Sequence, residues 1–595
     1  MVNRVKALRA MPGLFCAIAL AAVPGLAAAE CKVTNYGALP VEVVGQRATT
    51  MAKINGQDTR FILDTGATFG FMARANVEAM GLRREAAPFG LRMGGIGGSL
   101  SPDLTRVKSF GILNGTLSNI EFLVGGSDAG TGLIGANLLD VVDADVDLAS
   151  GRFALLKPVG CEKLAMAYWT KDGQYSQTDL HPAGNTFDRR SFVTVTINGH
   201  PVRAMLDSGA MATVITRRAA ERSGVDMSAA GSETAMRSRG VGSRTQKAWV
   251  VPVESYSIGE ETVHHGKLEV IDDVMGEGPD APDMLLGIDF FLSHHIFIAN
   301  SQRKLYFTYN GGRVFTMGSV PKGAAQAAAA TSDDEPKTAA AFALRGQARL
   351  SRGEGALALA DLEQAVSLDG NVAAYRLARA RARLAAGKAG GADPVGAALA
   401  DLDAALRLDA QNLDALLLRA QLRFARKDRE GAGQDIAAAR ALVPAGSNRS
   451  RELASFYVAV DRPAEALPLL DEWVRLHRED SQMTDVLATR CWARGLANVQ
   501  LDGALDDCRR ALAANRERAS VNDSMGLILL RLGRNADAQA SYEKAVALDP
   551  HSAWSHYGLG LARIRNGQDG QAELAAATAI APRLAERAGA FGLKP

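Results

Sequence analysis

Two aspartates lie in matching short sequences 143 residues apart, Asp64-Thr65-Gly66-Ala67 and Asp207-Ser208-Gly209-Ala210. One carboxylate cannot both activate a water and protonate the carbonyl oxygen that the water attacks, whereas a pair that shares one proton can do both. Two carboxyls in contact cannot both ionise, so such a pair keeps a proton. If the fold brings Asp64 and Asp207 together, these residue types predict hydrolysis by a water held between two carboxyl groups.

The sequence around each aspartate belongs to a longer internal repeat. At the same offset of 143 residues, Ile54-Asn55-Gly56 matches Ile197-Asn198-Gly199. An Asn-Gly pair between two alternating apolar runs is typical of a β-hairpin turn. We therefore expect two antiparallel strands in each copy, the second of which carries the aspartate into a glycine-containing loop. The predicted strands are Met51–Ile54, Thr59–Leu63, Phe192–Ile197 and Val202–Leu206.

Further matching elements follow each aspartate. An apolar pair precedes glycine in Leu133-Ile134-Gly135 and in Leu285-Leu286-Gly287, and glycine-rich segments occur at Met93–Gly98 and at Gly240-Val241-Gly242. Together with the two aspartate motifs, these elements resemble the active-site loops and flap tips of aspartic peptidases, in particular the retropepsins. The resemblance covers about residues 35–312. It implies two all-β lobes, with an extended polypeptide substrate bound between the lobes and two flaps.

The resemblance also implies a role for each matching residue. Asp64 and Asp207 would be the catalytic pair, and the hydroxyls of Thr65 and Ser208 would cross-link the two loops. The active-site loop residues are Thr65, Gly66, Ala67, Ser208, Gly209 and Ala210. The residues expected to pack beneath these loops are Leu133, Ile134, Gly135, Leu285, Leu286 and Gly287. The flap residues expected to contact substrate are Gly95, Ile96, Gly97, Gly240, Val241 and Gly242.

Ala67 and Ala210 predict a pH dependence. Many relatives carry a hydroxyl residue at this position that donates a hydrogen bond to a catalytic carboxylate, and alanine cannot donate one. With fewer hydrogen bonds to the ionised form, the pKa of the pair is depressed less. We therefore expect activity that extends towards neutral pH.

The C-terminal half repeats with a period near 34 residues. In one copy, small, small, aromatic, small and proline positions fall at Gly526, Ala538, Tyr542, Ala545 and Pro550. Other copies keep these intervals at Gly346, Ala358, Ala365, Ala420, Ala432, Ala439, Pro444, Gly560, Ala572 and Ala579. This pattern resembles tetratricopeptide (TPR) repeats, with about seven units. The resemblance implies an all-α superhelix that binds a protein or peptide in its groove; the rival interpretation is a generic helical bundle.

The N-terminal residues and the cysteines give predictions about where the protein is located. Basic residues precede an apolar stretch and Ala27-Ala28-Ala29, which predicts a cleaved secretory signal and a periplasmic protein without a stable membrane span. Cleavage of the signal leaves four cysteines in the protein, Cys31, Cys161, Cys491 and Cys508. Two disulfides fit an oxidising compartment, but three pairings and free thiols all stay open.

Composition and motifs exclude several function classes. A net charge of +2 with no basic run among aromatics argues against nucleic-acid binding. We expect no cofactor, and no metal, because the spacing of Cys and His is wrong for ligands and adjacent histidines on a strand point to opposite faces. The sequence also lacks the motifs of serine hydrolases, zinc peptidases and P-loop NTPases.

These patterns combine into one organisation and one leading hypothesis. The expected segments are 1–29 signal, 30–165 first lobe, 166–312 second lobe, 313–337 flexible linker, 338–586 repeat array and 587–595 tail. The leading hypothesis is an exported aspartic endopeptidase whose array docks substrate or a partner protein. One alternative is an inactive peptide-binding scaffold that keeps both folds. Another is a peptidase whose two halves pair only between chains.

Overall fold

A computed structural model describes 14 segments of the chain. They are residues 31–44, 46–96, 98–126, 132–170, 173–183, 188–229, 233–238, 246–272, 275, 281–311, 336–444, 446–478, 480–514 and 516–595. The expected signal, residues 1–29, and most of the expected linker lie outside the described residues. The described part is all-β before residue 312, apart from short helices, and all-α after residue 336, which confirms the predicted fold class.

The first lobe is built from strands joined by two short helices. Its strands are β1 Lys32–Pro40, β2 Glu42–Val43, β3 Ala48–Ile54, β4 Gln57–Leu63, β5 Phe71–Met72, β6 Arg84–Ala86, β7 Met93–Gly95, β8 Gly98–Leu100, β9 Asp103–Ile112, β10 Gly115–Val124, β11 Gly132–Ile134, β12 Asp143–Asp147 and β13 Arg152–Val159. Its helices are α1 Arg74–Ala79 and α2 Ala136–Leu139. One sheet has the order β2-β3-β4-β11-β5-β10-β9-β6, and β3 also pairs with β9, so six strands close into a barrel.

The second lobe repeats this plan. Its strands are β14 Ser176–Asp179, β15 His181–Pro182, β16 Ser191–Ile197, β17 His200–Leu206, β18 Val214–Thr216, β19 Glu233–Ser238, β20 Gln246–Ile258, β21 Glu261–Ile271, β22 Met284–Leu286, β23 His294–Ala299 and β24 Lys304–Tyr309. Its helices are α3 Arg217–Arg222 and α4 Ile288–Ser293. The sheet order β15-β16-β17-β22-β18-β21-β20-β19, with a β16–β20 pairing, closes a second barrel.

The hairpins before the two aspartates follow the repeat. All four strands end at the predicted residue and begin one to three residues earlier. Asn55 and Gly56 have φ of 50° and 88°, and Asn198 and Gly199 have 49° and 82°. Two successive positive φ angles define the type I′ turn, which asparagine and glycine adopt at low cost.

A sheet of six strands joins the lobes. Its order is β1-β13-β12-β23-β24-β14, so three strands come from each lobe, and β12 pairs with β23 at the centre. Phe153, Ile296 and Phe307 from this sheet are fully buried in the core that both lobes share. The two lobes therefore fold around one continuous hydrophobic core.

The C-terminal region is a run of antiparallel helices. They are α5 Ala339–Ser351, α6 Gly355–Leu368, α7 Ala373–Ala386, α8 Pro394–Leu408, α9 Leu413–Ala425, α10 Arg429–Leu442, α11 Asn448–Ala459, α12 Pro463–Leu476, α13 Met483–Ala497, α14 Leu501–Ala514, α15 Ala519–Arg531, α16 Asn535–Leu548, α17 Ala553–Arg565, α18 Gln571–Ile580 and α19 Leu584–Ala590. The small residues are needed because a Cβ on Gly526 would lie 2.8 Å from the Tyr542 ring and one on Gly558 2.1 Å from it.

The array is attached to the lobes through its first helix. Leu344 of α5 lies over Gly151, where a Cβ would be 2.8 Å from the leucine, and Ala348 belongs to the core of the two lobes. The Arg352 guanidinium donates to the Leu292 carbonyl oxygen at 3.2 Å. The final residues, expected as a tail, also pack, since Leu593 is buried and its carbonyl accepts from Tyr557 at 3.1 Å.

Both cysteine pairs form disulfides. Cys31 is bonded to Cys161, and Cys491 to Cys508. The first bond joins the two ends of the first lobe, and the second joins α13 to α14. Within the described residues, every helix is too short or too polar to cross a lipid bilayer.

Candidate active site

Each aspartate follows directly on a strand that is held by the apolar-Gly element of the same lobe. β4 runs parallel to β11, and the Asp64 backbone N–H donates to the Ile134 carbonyl at 3.0 Å. In the second lobe, β17 runs parallel to β22, and the Asp207 N–H donates to the Leu286 carbonyl at 2.9 Å. Local pairing of strands therefore delivers both aspartates to equivalent positions.

The two loops are cross-linked by four hydrogen bonds that obey a twofold symmetry. The Thr65 hydroxyl donates to the Leu206 carbonyl at 2.9 Å, and the Ser208 hydroxyl donates to the Leu63 carbonyl at 2.8 Å. In return, the Thr65 N–H donates to the Ser208 hydroxyl at 3.2 Å, and the Ser208 N–H donates to the Thr65 hydroxyl at 3.1 Å. Both side chains are buried, so each hydroxyl needs these partners.

The glycines of the two motifs leave room for the opposite carboxyl. A Cβ on Gly66 would lie 2.3 Å from the Asp207 carboxyl carbon, and a Cβ on Gly209 would lie 2.3 Å from that of Asp64. Any other residue would push the two carboxyls apart. Each glycine therefore faces the aspartate of the other lobe, in addition to bringing its N–H close to its own carboxylate.

The two carboxyls form a hydrogen-bonded pair. The Gly66 N–H donates to Asp64 Oδ1 at 3.0 Å, and the Gly209 and Ala210 N–H groups both donate to Asp207 Oδ1 at 3.0 Å. Burial raises the pKa of Asp64 well above its ordinary value, and the neighbouring Asp207 carboxyl raises it further. Burial also raises the pKa of Asp207, against the effect of the backbone donors. This arrangement retains one proton between two oxygens that can also hold a water.

The two apolar-Gly elements lie in apolar clusters and in close backbone contacts. Leu133 and Leu285 belong to small apolar clusters on which Ala67 and Ala210 pack, whereas Ile134 and Leu286 enter the main core. Gly135 and Gly287 are required for a close approach, since a Cβ would lie 2.6 Å from the Phe69 backbone in one lobe and 2.3 Å from the Ala212 backbone in the other. These contacts fix the position of each active-site loop relative to the apolar-Gly element of its lobe.

The hairpin expected as the first flap contacts both lobes. β7 and β8 pair as a hairpin, and Ile96 at its tip packs against the apolar cluster of the second lobe, beside Ala210. Leu91 and Met93 pack on the first-lobe cluster beside Ala67. Gly95 precedes Ile96 at the end of β7. The remaining predicted flap residues, Gly97, Gly240, Val241 and Gly242, lie outside the described residues.

Comparison with known proteins agrees with this geometry. A family model described as aspartyl protease matches residues 50–138 and 193–290, one stretch in each lobe. A TPR repeat model matches residues 526–567. The N-terminal region is retropepsin-like, and the C-terminal region is a TPR array. No curated protein matches the chain.

Solved structures resemble parts of the chain at low identity. The TPR protein YrrB, with an unusual peptide-binding site, is 19% identical over 33% of this chain and 95% of its own, with a TM-score of 0.28. A TPR protein from Parabacteroides merdae is 15% identical over 42% of this chain and 96% of its own, with a TM-score of 0.32. The aspartic proteinase from Irpex lacteus is 11% identical over 47% of this chain and 97% of its own, with a TM-score of 0.31.

Three polar residues that support the retropepsin-like loops were not predicted. Asn137 accepts from the Gly70 N–H at 3.0 Å. In the second lobe, Asp289 accepts from the Thr213 N–H at 2.9 Å and from its hydroxyl at 2.7 Å, while the Thr213 hydroxyl accepts from the Gly287 N–H at 3.0 Å. The signal was present, because Asn137 and Asp289 each stand two residues after the glycine of the apolar-Gly element.

Arg190 also escaped the sequence analysis. Its guanidinium is held by Asp188 and lies 3.6 Å from the Met205 sulfur, two residues before the second aspartate. Its positive charge acts to lower the pKa of Asp207. The hydrogen bonds from Ala210, Asp64 and Gly209 act on the pKa of Asp207 in the same direction, and more strongly.

The adjacent histidines lie on opposite faces, as expected for a strand. His294 Nε2 contacts Glu261 at 3.1 Å, whereas His295 Nε2 contacts Asp145 at 2.6 Å and its ring stacks on Trp169. Among the described residues, no group of three or more His, Cys, Asp or Glu side chains is arranged to hold a metal ion.

Proposed function

We propose that the protein is an aspartic-type endopeptidase that hydrolyses peptide bonds with Asp64 and Asp207. The observation that carries the proposal is the symmetric cross-link of Thr65 and Ser208, which holds two adjacent carboxyls in one hydrogen-bonded pair. A structural role alone would not require two adjacent carboxyls that both have raised pKa values. The loops meet within one chain, which favours this arrangement over pairing between two chains.

The proposed reaction uses the pair in both protonation states. The ionised carboxyl removes a proton from the bound water as its oxygen attacks the carbonyl carbon, and the protonated carboxyl donates its proton to the carbonyl oxygen. A tetrahedral diol forms. The carboxyl that took the water proton then donates it to the leaving nitrogen, while the ionised carboxyl takes a proton from a diol hydroxyl. The C–N bond breaks, the acid and amine products leave, and the pair again shares one proton. The Ala210 and Gly209 N–H donors and the hydrogen bond from Asp64, with a smaller contribution from the Arg190 charge, favour Asp207 as the ionised member before the water attacks.

The array and the compartment extend the proposal. We assign the TPR region the docking of a polypeptide substrate or a partner protein, as helical repeat arrays bind extended chains. Residues 1–29 would direct export to the periplasm and be removed. Two disulfides support an oxidising compartment. N-terminal sequencing of the protein recovered from a periplasmic fraction tests this part separately.

A peptide library tests the peptidase proposal. Purified wild type, Asp64→Asn and Asp207→Asn are compared with and without pepstatin, and Asp58→Asn serves as the matched control, since Asp58 is an exposed hairpin residue paired with Lys53. We expect cleavage by wild type and Asp58→Asn alone, and inhibition by pepstatin. Equal cleavage by all four proteins would remove the mechanism. Cleavage by none would favour the inactive scaffold.

A further inference from the structure

A basic cavity of about 490 Å³ lies in the TPR region, between α12, α13 and α14. Four arginines line it: Arg475 near the end of α12, Arg478 two residues beyond that helix, Arg490 from α13 and Arg510 from α14. Asp471 contributes an acidic side chain to the lining, and Met483 part of the apolar wall. The wall thus offers several guanidinium groups around a small apolar surface.

The arginines differ in how they are engaged. Arg490 is held by Asp507 at 2.7 Å and by Asp471 at 2.9 Å, so it is a fixed part of the wall. Arg478 is exposed and forms no ion pair with another described residue, and Arg510 is half-exposed with Asp506 only at 3.9 Å. These last two guanidinium groups can turn towards a ligand without breaking a close ion pair. Guanidinium groups bind carboxylates in a bidentate manner, which favours an acidic ligand.

Arg475 connects this cavity to the first lobe. Its guanidinium donates to Glu472 on the same helix at 2.8 Å and to Glu78 of α1 at 3.1 Å. Glu78 in turn contacts Arg84 of β6 at 3.4 Å, and Arg84 contacts Asp103 at 3.2 Å. Asp103 is the first residue of β9, three residues after the flap strand β8 ends. A chain of four charges therefore runs from the cavity wall to the stem of the first flap.

We propose that the cavity binds an acidic peptide segment and that this segment competes with Glu78 for Arg475. Binding would remove one contact from Glu78 and so weaken the hold of the array on the flap stem. Coupling of this kind is reciprocal, so a flap held open would also raise the affinity of the cavity for the acidic segment. The effect on cleavage rests on the proposed peptidase function, whereas binding and flap mobility do not.

Binding is tested with a labelled, end-capped hexaglutamate on the full-length protein. We expect hexaglutamate to bind about tenfold more tightly than hexaglutamine, and Arg478→Gln with Arg510→Gln to remove that difference. Arg583→Gln is the matched control, since Arg583 is exposed and pairs with Glu586 at the far end of the array. Equal binding of both peptides, unchanged binding in the double variant, or equally tight binding of a six-nucleotide DNA strand would overturn the proposal.

The coupling is tested by amide hydrogen exchange of residues 98–112. Saturating hexaglutamate should raise exchange there about twofold to fivefold in wild type. Glu78→Gln should show the raised exchange without peptide and no further rise with it. Bound peptide without any change in wild-type exchange would overturn the coupling. On a cleaved reporter, hexaglutamate should change KM with kcat kept; a wild type that cleaves nothing would refute the peptidase proposal and leave the exchange result standing.

Discussion

The lobes and the array both bury aspartates, but they surround them with different partners. In the lobes, Asp64 and Asp207 contact each other and backbone N–H groups. In the array, Asp435 accepts from Arg419 at 2.5 Å and from Arg423 at 3.0 Å. The comparison shows that a buried carboxyl paired with arginines is a structural ion pair, whereas two carboxyls left to share a proton can do chemistry.

The arginine clamps recur through the array. In each, two arginines one helical turn apart bind one aspartate on the next helix, which spaces the pair along one face. The clamps are Arg345 and Arg349 with Asp361, Arg379 and Arg383 with Asp401, Arg419 and Arg423 with Asp435, and Arg490 and Arg494 with Asp507. They join paired helices through ion pairs, in addition to the apolar contacts between those helices.

The largest expected effect is on activity at the Asp64–Asp207 pair, where activity should fall while stability rises. Asp207→Asn should lower kcat about 10⁴-fold, equivalent to about 5.5 kcal/mol, because one member of the shared-proton pair is lost. The same change should raise the free energy of unfolding of the lobes at pH 7 by about 1 kcal/mol, since a buried charge is removed. Denaturant unfolding measures the second effect. A loss of stability of several kcal/mol would show that Asp207 is a structural residue.

For the arginine clamp at Asp435, we expect stability to fall and activity to stay the same. Asp435→Asn should lower the free energy of unfolding of the array by about 3–5 kcal/mol, because two partly buried arginines lose their partner. Peptidase activity should not change at temperatures where the array stays folded. Asp537→Asn is the control, as this exposed residue pairs with Arg534 at a helix start. An equal loss of stability in both variants would show that buried and exposed ion pairs contribute alike to the stability of the array.

The cross-link between the loops is expected to have an intermediate effect. Ser208→Ala removes a buried donor to Leu63 and an acceptor for Thr65, which should cost about 1–3 kcal/mol of stability. We expect kcat to fall about tenfold because the carboxyls lose their fixed separation. Ser208→Thr keeps the hydroxyl and should restore most of the rate. Full activity in Ser208→Ala would show that the glycines alone set the geometry.

Asp140 tests whether burial without a second carboxyl is enough for function. Burial raises the pKa of Asp140 to about 8, and its oxygens have no hydrogen-bond partner among the described residues. Because the folded state binds the proton more tightly than the unfolded chain, stability falls as pH rises from about 4 to 8, by about 1.4 kcal/mol per pH unit. Asp140→Asn should remove this slope in denaturation measured against pH and leave kcat unchanged.

The smallest expected effect concerns the alanine that ends the second motif. Ala210→Thr adds a hydroxyl that can donate to ionised Asp207, which lowers the pKa of the pair. The alkaline limb of the pH–rate profile should therefore move to lower pH by about one unit. Ala210→Val has the same shape without the donor and should leave the limb in place. A wild-type profile confined to strongly acidic pH would contradict the expectation that alanine favours activity near neutral pH.

The sequence predicted the parts of the site that local patterns specify. The hairpins that end at Leu63 and Leu206 follow from the Asn-Gly turns and from strand alternation. Gly66 and Gly209 follow from the close packing around the two aspartates. The docking of the array could not be predicted, since Glu78 and Arg475 are 397 residues apart and no repeat relates them. The spacing of the arginines in each clamp is present in the sequence. The small residues of the TPR pattern already predict the helices, however, so nothing in the pattern pointed to the ion pairs.

The burial of α5 against the lobes has a consequence for handling the protein. Leu344 and Ala348 pack into the lobes although the chain enters α5 through the segment between residues 311 and 336. A protease that nicks this segment would yield two fragments that stay together in the native state and separate only in denaturant. A single peak on a sizing column would thus conceal the nick, and a gene truncated before α5 would express lobes with a newly exposed apolar surface.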